Sequence, residues 1–110
     1  MEISEDSDQR RFILRFKSYS EQRLCISYAR WPIAGAFPDA SRYVYVQIGD
    51  QKYYSLRENV SDYCPGCRHV VAPGTDLVGY VDFLEFPPEA FVNTDKERKL
   101  IVPAKPYRCG

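Results

Sequence analysis

Hydrophobic and polar side chains alternate with a two-residue period in several short segments of this chain. Residues 12–17 place Phe12, Leu14 and Phe16 on one face and charged residues on the other. Residues 43–48 place aliphatic side chains on one face, with tyrosines among those on the other. A period of two predicts β-strands with one buried face.

Turn-forming residues separate the alternating segments from one another. Gly49-Asp50 predicts a two-residue hairpin turn, and Pro73-Gly74 predicts a second turn before a long alternating segment. The predicted strands are residues 12–17, 24–28, 43–48, 52–56, 69–71, 77–83 and 100–102, with one helical turn at 86–91. About seven short strands without a 3.6-residue apolar period predict an all-β protein of the β-sandwich type.

Length sets the domain organisation. The chain has 110 residues, which fits one domain with a modest core. Residues 1–10 are polar and charged, and we expect them to form a flexible N-terminal tail. A single β-sandwich domain is therefore predicted over residues 11–110.

The charge balance argues against two classes of partner. Lys and Arg number 15, Asp and Glu also number 15, and the formal net charge is zero. Nucleic-acid-binding proteins usually carry a basic excess that neutralises phosphates, so no nucleic-acid partner is predicted. No apolar run approaches the length of a spanning helix, so we expect no membrane insertion of this domain.

Four cysteines are the most informative residues of the chain. An even number in a small chain favours disulfides and an oxidising compartment. Pro65-Gly66 suits a tight turn that would bring Cys64 and Cys67 together. Cys25 and Cys109 would then pair and staple the sandwich. Three pairings exist for four cysteines, so crossed pairings stay open at this stage.

Two other chemistries use a pair of cysteines at the spacing of Cys64 and Cys67. A zinc site needs four ligands, which Cys25 with Cys109 or His69 would have to complete. A redox dithiol usually opens a helix whose N-terminus lowers the thiol pKa, and no helix is predicted after Cys67. Zinc binding and thiol–disulfide exchange are thus alternatives to a structural disulfide. No metal ligand or cofactor is assigned.

Catalytic motifs are missing from the sequence. His69 is the only histidine, and no nucleophile elbow or phosphate-binding glycine loop occurs. We therefore predict no catalytic residues and interpret the protein as a non-enzyme. His69 itself is interpreted as a strand or loop residue with ordinary hydrogen bonds.

Aromatic side chains are the candidates for binding a partner. Trp31 is either a core residue or an exposed anchor, since Trp and Tyr dominate interface energetics. Tyr43 and Tyr45 face away from the valines beside them, and Tyr53 and Tyr54 lie across the predicted hairpin. The tyrosines would either bind a protein or a surface polymer, or simply pair across strands.

The start of the chain is acidic and polar, which does not fit a signal peptide. The chain is therefore either a mature fragment of an exported protein, whose signal or lipoprotein anchor is absent, or a cytosolic protein. The four cysteines favour the exported fragment. The predicted location is the periplasm or the extracellular medium.

The order of these features resembles small immunoglobulin-like domains of exported bacterial proteins, whose function is unassigned. The resemblance lies in layout over residues 12–109: the Leu24-Cys25-Ile26-Ser27 strand, the Trp31-Pro32 loop, the tyrosine hairpin and the turn at 71–74. The Ala72-Pro73-Gly74 turn also resembles a turn of immunoglobulin-like proteinase inhibitors. The resemblance implies a disulfide-stapled immunoglobulin-like β-sandwich that is exported, non-enzymatic and acts by binding, with inhibition as one form of that binding, and it carries over no functional residue.

Overall fold

Nine short strands and three short helices are the regular elements of the described part of the chain. The computed structural model describes residues 1–38, 43–56, 68–92, 97–102 and 104–109. The strands are β1 (Glu2–Asp6), β2 (Arg11–Lys17), β3 (Leu24–Ser27), β4 (Tyr45–Ile48), β5 (Gln51–Tyr54), β6 (Arg68–Val71), β7 (Asp76–Asp82), β8 (Lys99–Ile101) and β9 (Tyr107–Arg108). Short 3-10 helices span Tyr28–Arg30, Phe83–Glu85 and Pro88–Phe91.

The strands form three small antiparallel sheets. The first sheet has the order β1-β2-β7, the second β6-β3-β9 and the third β5-β4-β8. The prediction of an all-β protein is confirmed at this level. All seven predicted strands have a counterpart, and the helical turn predicted at 86–91 contains the 3-10 helix Pro88–Phe91.

The N-terminal segment differs from its prediction as a loose tail. Residues Glu2–Asp6 form β1, which pairs with β2 so that Glu2 lies opposite Arg15 and Asp6 opposite Arg11. Opposite charges across two strands stabilise such pairing, which a purely apolar pattern does not reveal. Glu5 accepts two hydrogen bonds from the Arg98 guanidinium, at 3.0 and 2.8 Å.

One apolar cluster joins side chains from all three sheets. Its buried members are Phe12, Leu14, Ile26, Trp31, Phe37, Val44, Val46, Ile48, Val81, Phe83, Phe86, Ala90 and Leu100. The alternation read in β2 and β4 is therefore the alternation between core and solvent. The period of two, rather than total hydrophobicity, orients these strands.

A group of phenylalanines fills one end of this cluster. The Phe83 and Phe91 rings are stacked with centroids 4.4 Å apart, and the Phe12 ring lies 5.0 Å from that of Phe83. The Arg98 guanidinium lies 5.2 Å from the Phe91 ring. Its hydrogen bonds to Glu5 raise the pKa of Arg98 above the usual value. Arg98 thereby links β1 to the aromatic end of the core.

The predicted pairing of Cys25 with Cys109 is confirmed. The two residues form a disulfide with a Cα–Cα distance of 5.3 Å. Cys25 lies in β3 and is fully buried, whereas Cys109 directly follows β9. A disulfide of this kind indicates an oxidising compartment.

Gly79 provides a sharp test of the packing. A Cβ atom at this position would lie 2.8 Å from the Trp31 Nε1 atom and 2.9 Å from the Pro32 Cγ atom. We expect Gly79→Ala to lower the free energy of unfolding by about 1–3 kcal/mol, the usual cost of overpacking. Urea unfolding measures this change. Val78→Thr is the control, because Val78 is exposed on the same strand; equal effects of both variants would contradict this packing.

The disulfide provides a second test. The 84-residue separation of its cysteines gives a stabilisation of about 4–5 kcal/mol in the chain-entropy model. We expect the free energy of unfolding of the double variant Cys25→Ala with Cys109→Ala to be lower than that of the wild type by about this amount. Urea unfolding of the wild type and the double variant, both without reductant, measures the loss. Unchanged stability would show that the bridge does not constrain the fold.

Candidate binding surface

The third sheet has one buried side and one solvent side. On the buried side, Val44 and Val46 are almost inaccessible to solvent, and Leu100 lies opposite Val46. Because side chains alternate, the neighbouring residues of β4 and β8 point away from the core. The packing of the buried side therefore determines which residues of β4 and β8 face the solvent.

Aromatic and aliphatic residues occupy one half of the solvent side. Tyr45 lies between Tyr54 on β5 and Ile101 on β8, and its ring centroid is 5.2 Å from that of Tyr54. The register of β4 and β5 continues one step further, since the Ser55 N–H donates to the Val44 carbonyl at 3.0 Å. Alternation then places the flanking residues Tyr43 and Leu56 on the same solvent side. We call the set Tyr43, Tyr45, Tyr54, Leu56 and Ile101 the tyrosine face.

The tyrosine face is open to solvent. Tyr43 and Leu56 each expose 60% of their surface and Tyr54 exposes 43%, while Tyr45 and Ile101 are half-buried. The solvent side of the first sheet is different, because charged residues pair there. Arg15 lies 3.4 Å from Asp76, and Lys17 lies 3.7 Å from Glu2.

Polar residues occupy the other half of this solvent side. Gln47 lies between Lys52 on β5 and Lys99 on β8. The Lys52 ammonium lies 5.2 Å from the centroid of the Tyr45 ring. In the described part of the chain, neither lysine has a carboxylate within ion-pair distance. A cleft of about 460 Å³ lies here, lined by Gln47, Gly49, Glu97 and Lys99.

The structure separates the aromatic residues that the sequence proposed as one group. Tyr43 and Tyr45 lie on the solvent side, whereas Tyr53 lies opposite Val46 and packs against the core. Trp31 is only 2% exposed, so it is a core residue and not an exposed anchor.

Sequence reasoning treated Tyr53 and Tyr54 alike and missed Leu56 and Ile101. The missing step was the hairpin register, because a two-residue turn after Ile48 places Tyr54, not Tyr53, beside Tyr45. Ile101 needed the pairing of β8 with β4, which no local pattern indicates.

The Cys25–Cys109 disulfide excludes one form of the zinc site considered for the four cysteines. Because Cys25 and Cys109 are bonded to each other, they are not available to complete a zinc site with the other two cysteines. Cys64 and Cys67 lie outside the described residues, so their disulfide, redox and zinc interpretations stay predictions. Within the described ranges, no group of three potential metal ligands occurs.

His69 lies in β6 opposite Ile26 and stacks on the Tyr28 ring, with centroids 5.8 Å apart. Its Nε2 atom is buried and has no hydrogen-bond partner among the described residues. Burial lowers the pKa of His69 below its usual value, because a charged ring loses hydration there. The ring is therefore suited to stacking in its neutral form.

Comparisons with known proteins yield no relative. No protein-family model, no curated protein and no solved structure matches this chain. The described residues also contain no helix long and apolar enough to cross a membrane.

The lowered pKa of His69 has a measurable consequence. The folded state disfavours the charged ring, so the free energy of unfolding is highest above the unfolded pKa of 6.5 and falls as pH drops through the folded pKa. NMR titration of this single histidine should give a pKa below 6.5. We expect His69→Gln to remove this part of the acid destabilisation. A normal or raised pKa would contradict the burial of the ring.

Proposed function

We propose that this protein is an exported, non-enzymatic domain that binds another protein through the tyrosine face. The observation that carries the proposal is that Tyr43, Tyr54 and Leu56 are exposed, beside the half-buried Tyr45 and Ile101, on one side of a sheet whose other side packs into the core. An antiparallel sheet with one buried face normally presents polar residues to solvent. A contiguous apolar surface rimmed by polar residues marks an interaction site.

The chemistry of the face favours a protein partner over a surface polymer. Leu56 and Ile101 extend the aromatic surface with aliphatic side chains, which offer apolar contact but no hydrogen bond. Tyrosine supplies a large contact area with little loss of conformational entropy, which is why it is enriched in protein interfaces. Lys52 and Lys99 form a charged rim beside it.

The disulfide supports the proposed compartment. The Cys25–Cys109 bridge is stable in an oxidising environment, which supports a periplasmic or secreted location. An immunoglobulin-like arrangement of the sheets and an inhibitory mode of binding belong to the same proposal. They rest on the layout resemblance and on the three antiparallel sheets.

Substitution of the tyrosine face tests the proposal. The test variant carries Tyr43→Ser, Tyr54→Ser and Leu56→Ser, and the control carries Val70→Ser, Val78→Ser and Val92→Ser, three exposed apolar residues elsewhere. Wild type and both variants, immobilised, are incubated with the secreted or periplasmic fraction of the source organism. Bound proteins are quantified by mass spectrometry.

We expect one protein to bind wild type and control at near-stoichiometric levels and to be lost from the test variant. Calorimetry with that protein in purified form should then show binding to the test variant that is at least a hundred-fold weaker than binding to the wild type. The reason is that truncating a central aromatic residue of an interface costs about 1–2 kcal/mol or more. Circular dichroism checks that all three are folded. Equal binding by both triple variants would refute the role of the face.

A further inference from the structure

The outer edge of β5 is open in the described part of the chain. β5 is the end strand of the third sheet, and its only strand partner is β4. Exposed edges are sites of strand pairing unless the sequence or a covering segment prevents it. The other edges of the first and third sheets are protected, as described next.

The edges of the first sheet are protected in two ways. β1 carries three carboxylates in five residues, so two copies of β1 would bring like charges together. The edge of β7 is covered, because the Asp82 N–H donates to the Gly35 carbonyl at 2.9 Å. In the third sheet, β8 spans only three residues. β5 carries no run of like charges, and no segment among the described residues covers its outer edge along Gln51–Tyr54.

The hydrogen bonds of β5 show which main-chain groups face outward. The Ser55 N–H donates to Val44, so Ser55 and, by alternation, Tyr53 direct their main-chain groups toward β4. Lys52 and Tyr54 therefore direct theirs away from the sheet. Beyond them, the Leu56 N–H donates to the Glu85 carbonyl at 2.7 Å, which closes that end.

We infer that a second copy of this chain docks on this edge by antiparallel pairing of β5 with β5, centred on Tyr53. In that register Lys52 lies opposite Tyr54 of the partner subunit, and Tyr54 lies opposite Lys52 of the partner subunit. The outward main-chain groups of both residues then pair, which gives four hydrogen bonds across the twofold axis. The solvent-facing side chains of both subunits then lie on the same face of the joined sheet.

Neighbouring registers are worse for identifiable reasons. A register centred on Lys52 places two lysines directly opposite each other, which destabilises the pair. A register centred on Tyr54 requires the Leu56 N–H, which already donates to Glu85. In the proposed register each lysine meets a tyrosine ring, as Lys52 already does with Tyr45 at 5.2 Å.

Dimerisation by this edge would join two tyrosine faces into one surface. The paired segment is short, and small interfaces belong to weak, reversible complexes. We therefore expect a concentration-dependent equilibrium between monomer and dimer. A dimer would offer a partner protein two adjoining copies of the face.

Sedimentation equilibrium of the purified wild-type chain over a wide concentration range tests this inference. The wild type should show reversible dimerisation. Tyr54→Lys places lysines opposite lysines and should weaken dimerisation at least ten-fold. Adding Lys52→Glu to Tyr54→Lys places glutamate opposite lysine and should restore it. Tyr43→Lys is the matched control, since Tyr43 lies on the same face but not on β5.

The outcomes separate the alternatives. A wild type that stays monomeric at the highest concentration overturns the inference, and so does a dimer that survives Tyr54→Lys. A folded double variant that does not regain the dimer overturns the register. The measurement uses the isolated chain, so its result is independent of whether the tyrosine face binds another protein.

Discussion

Burial of Val44, Val46 and Ile48 fixes the orientation of β4, and the whole solvent side of the third sheet depends on it. Each aliphatic side chain contributes about 1.5–3 kcal/mol when removed from water. A one-residue slip would expose all three and turn Tyr45 and Gln47 toward the core. The loss would be a large fraction of the total stability of a small domain. The tyrosines are therefore held outward by the aliphatic residues between them.

Charged contacts close the structure where the apolar core ends. Glu5 lies opposite Phe12 in the first sheet, so its side chain points to the same, inner face as the Phe12 ring. A carboxylate is tolerated on that face because Arg98 donates two hydrogen bonds to it. Arg98 also covers the rings of Phe83 and Phe91. An inward charge on an end strand discourages pairing with other chains. The same contact thus attaches β1 and protects its edge.

Local alternation was enough to predict the strands around Phe12, Val46 and Val81, because one face of each is buried. It was not enough for β1, which is attached by the ion pairs of Glu2 with Lys17 and of Glu5 with Arg98 rather than by buried apolar residues. Whether Trp31 lies in the core or on the surface also depended on a residue far along the chain, Gly79. Its ring packs where Gly79 has no side chain, so only the tertiary contact selects the core interpretation. Tyr53 was placed on the wrong side because the register of the hairpin was not followed through.

Stability accounts for part of the tyrosine face and leaves the rest unexplained. The Tyr45–Tyr54 contact is an ordinary cross-strand pair, which contributes about 0.2–1 kcal/mol. Tyr43 makes no ring contact or hydrogen bond within the described part of the chain, and it is more exposed than either member of that pair. The hydrogen bond between Leu56 and Glu85 joins main-chain atoms only, so it does not require a leucine side chain at position 56. A fold that needed only the cross-strand pair would be served equally well by polar residues at positions 43 and 56, so these two side chains are the part of the tyrosine face on which the proposed binding function depends most.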